Sequence, residues 1–173
     1  MRLALVTFLA AAVFAAPAAV AAEEKPIQVS LFDPVQIFPN DTSIRGLRLN
    51  FIYGVNQDVR GLDLGLVNRT NGLGKGLQYG LVNMVESDFT GWQDGAVNLT
   101  KGYFLGFQSG LVNSSGTMEG LQWGGVNVAE SVHGLQLGFV NVTNQLDGLQ
   151  IGILNIAKAK DKLPILPIVN WNF

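Results

Sequence analysis

Apolar and polar positions recur along this chain in one phrase, clearest at Gly134-Leu135-Gln136-Leu137-Gly138-Phe139-Val140-Asn141. Copies begin at Gly46, Gly61, Gly76, Gly91, Gly106, Gly120, Gly134 and Gly148, so the spacing is 15 residues four times and then 14 three times. With the first glycine numbered step 0, the phrase repeats glycine at step 4 and asparagine at step 7. After the first copy the step-0 glycines are Gly61, Gly76, Gly91, Gly106, Gly120, Gly134 and Gly148. The step-4 glycines are Gly65, Gly80, Gly95, Gly110, Gly124, Gly138 and Gly152, and the asparagines are Asn68, Asn83, Asn98, Asn113, Asn127, Asn141 and Asn155. Each glycine would weaken a helix by about 1 kcal/mol, so a run rich in Leu, Val and aromatics reads as a strand. Strict alternation puts Leu (step 1), a variable residue (step 3), an apolar residue (step 5) and Asn (step 7) on one side, with Gly, Gln, Gly and Val on the other. Leu at step 1 and Val at step 6 are the most regular apolar positions and the expected core. About six residues of turn character follow each Asn, as in Thr70-Asn71-Gly72 and Ser114-Ser115-Gly116.

The ends of the array are irregular. Residues 23–45 lack the phrase and read as an N-terminal cap: Pro26 to Phe38 alternate like a strand broken at Asp33-Pro34, and Pro39-Asn40-Asp41 is a turn. The first copy has Asn50 in place of its second glycine and Tyr53 in place of its asparagine, then an extra Gly54-Val55-Asn56. Eight repeats fill 46–162, and 163–173 form a closing unit that keeps Val169-Asn170 but carries Pro164 and Pro167, residues suited to an edge that recruits no further strand. With the cap and closing unit there are about ten elements.

Ten similar strands fold in two ways. The first is an all-β, β-solenoid-like stack of about ten units of 14–15 residues, in which interchangeable repeats superpose and the asparagines form a ladder at a corner. The alternative is an antiparallel outer-membrane β-barrel of 8–10 strands, favoured by the alternating Val169, Trp171 and Phe173 at the C-terminus. Asp94 and Ser109 weigh against the barrel, because a charge on the lipid face at mid-depth costs roughly 2–4 kcal/mol for basic residues and somewhat less for acidic ones. In a solenoid, glycine at step 4 resets the alternation and exposes step 3. The solenoid is therefore the expected fold.

The Gly-Leu-Gln-x-Gly-Leu-Val-Asn phrase, the lead Gln28-Val29-Ser30-Leu31-Phe32-Asp33-Pro34-Val35-Gln36, the stretch Gly46-Leu47-Arg48-Leu49-Asn50 and the ending Leu163-Pro164-Ile165-Leu166-Pro167-Ile168-Val169-Asn170 resemble a family of exported bacterial surface-repeat proteins. The resemblance spans nearly the whole chain after residue 22. It implies an envelope or cell-surface location and brings no catalytic residue with it.

Residues 1–22 fit a cleaved secretory signal peptide: Arg2, an apolar run from Leu3 to Phe14, and small residues Ala19 to Ala22. The chain has no cysteine, so lipoprotein attachment, disulfides and thiol chemistry are excluded. Without Arg2, 10 basic side chains face 13 acidic ones and none form a basic stripe, which excludes nucleic acid as an expected partner. The expected location is the envelope: outer membrane, cell surface or periplasm.

Candidate chemistry is sparse. His133, the single histidine, reads as a solvated turn residue with no nucleophile at a recurring spacing. Asp63, Asp94, Glu119, Glu130 and Asp147 fall at different phases and read as surface acids, and Gly74-Lys75-Gly76 is a turn. No catalytic, cofactor-binding or metal-binding residue is assigned. Of five Asn-x-Ser/Thr matches, at Asn40, Asn68, Asn98, Asn113 and Asn141, four use the repeat's own asparagine, so architecture explains them. Trp92, Phe107, Trp123 and Phe139 are expected to fill the core, with an exposed patch for sugars or proteins as the other reading. Thr70, Thr100, Thr143 and Ser115 share a phase, but Val85, Ala129 and Ala157 interrupt them, so a flat binding row is not the expected reading. The expectation is a non-catalytic exported repeat protein with a structural or adhesive role, its partner a surface protein or polysaccharide. The alternative function is a structural or pore-forming barrel.

Overall fold

The computed structural model describes residues 24–173. The signal peptide expected at the N-terminus lies outside the described residues, which contain no helix. The strands are β1 (Glu24–Phe32), β2 (Val35–Gln36), β3 (Ser43–Asn56), β4 (Val59–Thr70), β5 (Gly74–Val85), β6 (Phe89–Asp94), β7 (Val97–Ala157) and β8 (Ile165–Asn172).

Successive copies of the phrase run parallel and in register: Gly46, Gly61, Gly76, Gly91 and Gly106 are consecutive partners across β3, β4, β5, β6 and β7. From Val97 onward strand pairing is unbroken, so β7 winds through the remaining coils, and the Gly106, Gly120 and Gly134 carbonyls lie against Gly120, Gly134 and Gly148. Segments expected to turn after each Asn, such as Ser114-Ser115-Gly116, are therefore strand in this half of the molecule. The fold is a β-solenoid of about six turns. The antiparallel barrel is not adopted, because every pairing between phrases is parallel.

The turn count is lower than the ten expected elements, and the two ends are not coils of the same kind. β1 adds a parallel rung beneath β3, broken as expected at Asp33-Pro34, and β2 folds back antiparallel onto it. At the other end β8 runs antiparallel to the last coil, with Gly148 opposite Asn172 and Gln150 opposite Asn170. The closing segment thus covers the stack without extending it.

The interior consists of four files of side chains, one residue per coil. Two steps before each phrase lie Ile44, Val59, Gly74, Phe89, Phe104, Met118, Val132 and Leu146, all buried. The Phe89 and Phe104 rings stack at 5.8 Å and 4°. A Cβ on Gly74 would stand 2.4 Å from the Phe89 ring, so the missing side chain makes room for the large one above. Facing this file are the step-9 residues Thr70, Val85, Thr100, Ser115, Ala129, Thr143 and Ala157, also buried. The interrupted threonine row is thus an interior file of small side chains. Step 2 and step 7, glutamine and asparagine, fill the other two.

Leu at step 1 and Val at step 6 are not core: Leu62 and Val112 are more than a third exposed. Steps 2 and 7 are both buried although their offset along the chain is odd, so strict alternation fails within the phrase and steps 5 and 6 both face outward. Glycine at step 0 is required at every coil: φ is +136° at Gly106, and a Cβ there would stand 2.0 Å from the Gly91 carbonyl oxygen. At step 4, Gly110 gives room to the Gly95 carbonyl and to the Asn98 amide, 2.2 and 2.8 Å from where its Cβ would be.

Candidate functional site

The buried glutamines form one directional hydrogen-bond chain. Gln150 donates Nε2–H to Gln136 Oε1 at 2.7 Å, and the same donation passes through Gln122, Gln108 and Gln93 to Gln78. Every donor points toward the N-terminal end, so Gln78 needs an acceptor of another kind. Asp63, at step 2 of the preceding coil, supplies it at 2.8 Å. Arg48, at step 2 of the coil before that, donates to both Asp63 carboxylate oxygens at 2.7 Å, and further to the Arg69 carbonyl and Thr70 hydroxyl. Arg48 and Asp63 are both buried, so the carboxylate expected on the surface is half of an internal ion pair. At the far end Asn170 of β8 donates Nδ2–H to the otherwise unmatched Gln150 oxygen at 3.4 Å.

The asparagines form a second chain of opposite polarity. Asn68 donates to Asn83, Asn83 to Asn98, and so on through Asn113, Asn127 and Asn141 to Asn155, each toward the C-terminal end at 2.8–2.9 Å. Each Nδ2 also reaches the step-3 carbonyl of the next coil, as from Asn98 to Ser109. Asn155 ends the chain on the Gly152 and Leu166 carbonyls. The two ladders oppose their dipoles, and each amide from Gln78 to Gln150 and from Asn68 to Asn155 is paired, which meets the requirement for placing polar groups out of water; Asn50 Oδ1, at the start of the stack, has no hydrogen-bond partner among the described residues. The same burial withdraws Asn68, Asn98, Asn113 and Asn141 from any modifying enzyme acting on the folded chain.

The outer face is the inverse of this interior. Leu66, Tyr79, Leu81, Leu111, Trp123, Phe139 and Ile153 are each between 54 and 71% exposed. Trp92, Phe107 and Trp123, expected in the core, form an outward aromatic run with centroid spacings of 5.5 and 6.5 Å, and Phe139 lies outside as well. Asp94 and Ser109 stand half-buried at step 3 within this surface, outward as expected, but the alternation breaks between steps 5 and 6 and not at the step-4 glycine. Around them Ala96 and Gly125 replace the larger step-5 residues and leave a notch of about 570 Å³ walled by Leu111, Trp123 and Phe139.

The outward residue just before the phrase is charged toward both ends of the stack. Arg45, Arg60 and Lys75 are consecutive partners in the first coils, Thr90 and Leu105 follow, and Glu119, His133 and Asp147 occupy the same step in the last three. His133 therefore lies within β7 and is exposed, not in a turn. Glu119 accepts a hydrogen bond from the Tyr103 hydroxyl, which raises the Tyr103 pKa. Glu86 accepts from Lys101 and lies 3.3 Å from Arg69; the Lys101 hydrogen bond is the largest cause of its lowered pKa. Glu130 accepts from Asn144. Among the described residues no group of three or more His, Cys, Asp or Glu is placed to hold a metal ion.

Of the step-2 residues, Arg48 and the glutamines were given no role by sequence and Asp63 was read as a surface acid, yet together they carry the interior. The available signal was constancy within the array: Gln recurs at step 2 and Asn at step 7 while steps 3 and 5 vary freely. Comparison of the chain with protein-family models, curated proteins and solved structures finds no match.

Proposed function

We propose that this is an exported, non-catalytic protein of the bacterial envelope or cell surface, acting through contact made by its outer face in a structural or adhesive role. One observation carries the reading: a continuous outward surface of Leu, Ile, Trp, Tyr and Phe side chains, running from Phe51 to Ile153, is more than half exposed at most of its step-5 positions. Apolar patches of such extent mark interaction surfaces in soluble proteins. The interior polar groups bond to one another along the ladders, so their amides serve to hold the stack. The leader-like sequence of residues 1–22 supports export.

The test is expression of the full chain in a Gram-negative host, followed by fractionation and protease treatment of intact cells. The expected result is a shortened protein in the envelope fraction whose retention falls when Leu81 and Leu111 are both changed to serine. Retention of the full-length chain in the cytoplasm, or envelope retention indifferent to that double change, contradicts the proposal.

A further inference from the structure

We propose that the face carrying the outward residues before each phrase and at its steps 1, 3 and 5 packs against the same face of a second copy of this chain. The two solenoids run antiparallel about a two-fold axis that lies along the strand direction between the fourth and fifth phrases. This names a partner for the contact surface proposed above and rests on that reading.

The argument is that the face is complementary to itself when its order of coils is reversed. Such an axis places each residue opposite the one at the same step in the mirrored coil, as isologous contacts require. On the charged file Arg45 then meets Asp147, Arg60 meets His133, and Lys75 meets Glu119, while Thr90 and Leu105 meet near the axis. Basic and acidic ends lie about 34 Å apart, at seven rungs of roughly 4.8 Å, so reversing the order of coils brings each end against its opposite. Glu24 shares Arg45 and Arg60 at 3.5 Å, and Asp58 stands 3.9 Å from Arg60. Lys75 makes no ion pair within the described residues, which leaves its charge for the partner.

The apolar steps obey the same reversal. At step 5 the projecting Leu111, 69% exposed, meets Ala96, and the projecting Leu81 meets Gly125, so the two small residues that cut the notch receive the two side chains that stand proud. At step 3 Tyr79 meets Trp123, a pairing of aromatic edges and faces. Asp94 meets Ser109 beside the axis, a carboxylate opposite a hydroxyl. Neither side chain has a hydrogen-bond partner among the described residues, and each supplies what the other lacks. Apolar burial over a face of this length drives association; the charges fix its direction.

Sedimentation equilibrium of the purified protein is the test. Wild type is expected to be a dimer. Lys75→Glu and Glu119→Lys each alter two symmetric contacts and are expected to weaken dimerisation about tenfold or more. The double variant K75E/E119K is expected to restore it. Ala96→Leu, which introduces the residue the repeat itself uses at step 5, should block the notch and weaken the dimer without lowering the melting temperature. A monomer at concentrations near 100 µM, association with lipid vesicles or another protein by a monomer, or a double variant as weak as either single one overturns the pairing. Envelope retention by a monomeric wild type would refute the pairing and leave the contact role standing.

Discussion

Asn50 and Gly54 exchange the places that Gly65 and Asn68 hold one coil later. Asn50 pairs with Gly65, Gly54 pairs with Asn68, and the Asn50 amide donates to Asn68 Oδ1 at 2.7 Å, so the asparagine ladder begins from the opposite side of its coil. A Cβ on Gly54 would stand 1.8 Å from Asn50 Oδ1, which is why only one of the two positions holds a side chain. Either Asn50→Gly or Gly54→Asn alone is expected to destabilise the fold by about 1–3 kcal/mol, by losing a ladder donor or by overfilling the coil. The double variant N50G/G54N should recover most of that loss in urea unfolding.

The Arg48–Asp63 pair ends the glutamine ladder. Asp63→Leu leaves Arg48 buried without its counter-charge and Gln78 without its acceptor, a loss of about 3–5 kcal/mol. Arg48→Gln with Asp63→Gln extends the ladder and should be far less costly than either single change. Thermal denaturation of the three variants checks this order.

In mid-ladder, Gln108→Leu makes the side chain apolar at similar size and orphans one Gln122 N–H, while Gln93 Oε1 keeps only its bond from the Thr100 hydroxyl. Each orphaned buried group costs about 1–3 kcal/mol. Leu111→Ser, three residues on but outward, should change the stability of the protomer by no more than about 0.5 kcal/mol. If the core were the leucines, the two results would be reversed.

Much of this fold was legible from spacing. The 15- and 14-residue intervals specify the parallel register, because a coil-to-coil stack superposes like residues, and Pro164 and Pro167 marked the end of growth. The side that faces inward was not legible. Hydrophobicity assigns Leu62 and Trp92 to the core and Gln93 to water, yet stacked amides satisfy one another so fully that glutamine is the interior residue. Alternation failed for a local reason, the two outward residues in succession at steps 5 and 6. Asp63 was read as a surface acid because its partner Arg48 is 15 residues away and neither shares the glutamine of its step.

Gly106→Ala places a methyl 2.0 Å from the Gly91 carbonyl oxygen at φ +136°. Backbone strain of about 1–3 kcal/mol plus displacement of the neighbouring coil is expected. Chemical unfolding should therefore show a larger loss than for Ala96→Gly on the outer face.

Glu86 links Arg69 and Lys101 across adjacent coils, and its folded-state pKa lies below its ordinary value of 4.5, chiefly through the Lys101 hydrogen bond. A lowered folded pKa makes its stabilisation fully present above 4.5 and lost as pH falls through the folded value. Because the cluster is at the surface its worth is small, within about 1 kcal/mol. Comparing wild type with Glu86→Gln, the stability gap should close on acidification below pH 4.5. A gap that widens there would contradict the assigned role.

The buried position of the glutamine side chains is tested most directly by NMR of their amide protons after transfer to D2O. The Nε2 protons of Gln93, Gln108 and Gln122 should persist long after those of exposed Gln145 have exchanged, and should show cross-peaks from each coil to the next. Exchange as fast as that of Gln145, with no contact between successive glutamine amides, would contradict the account.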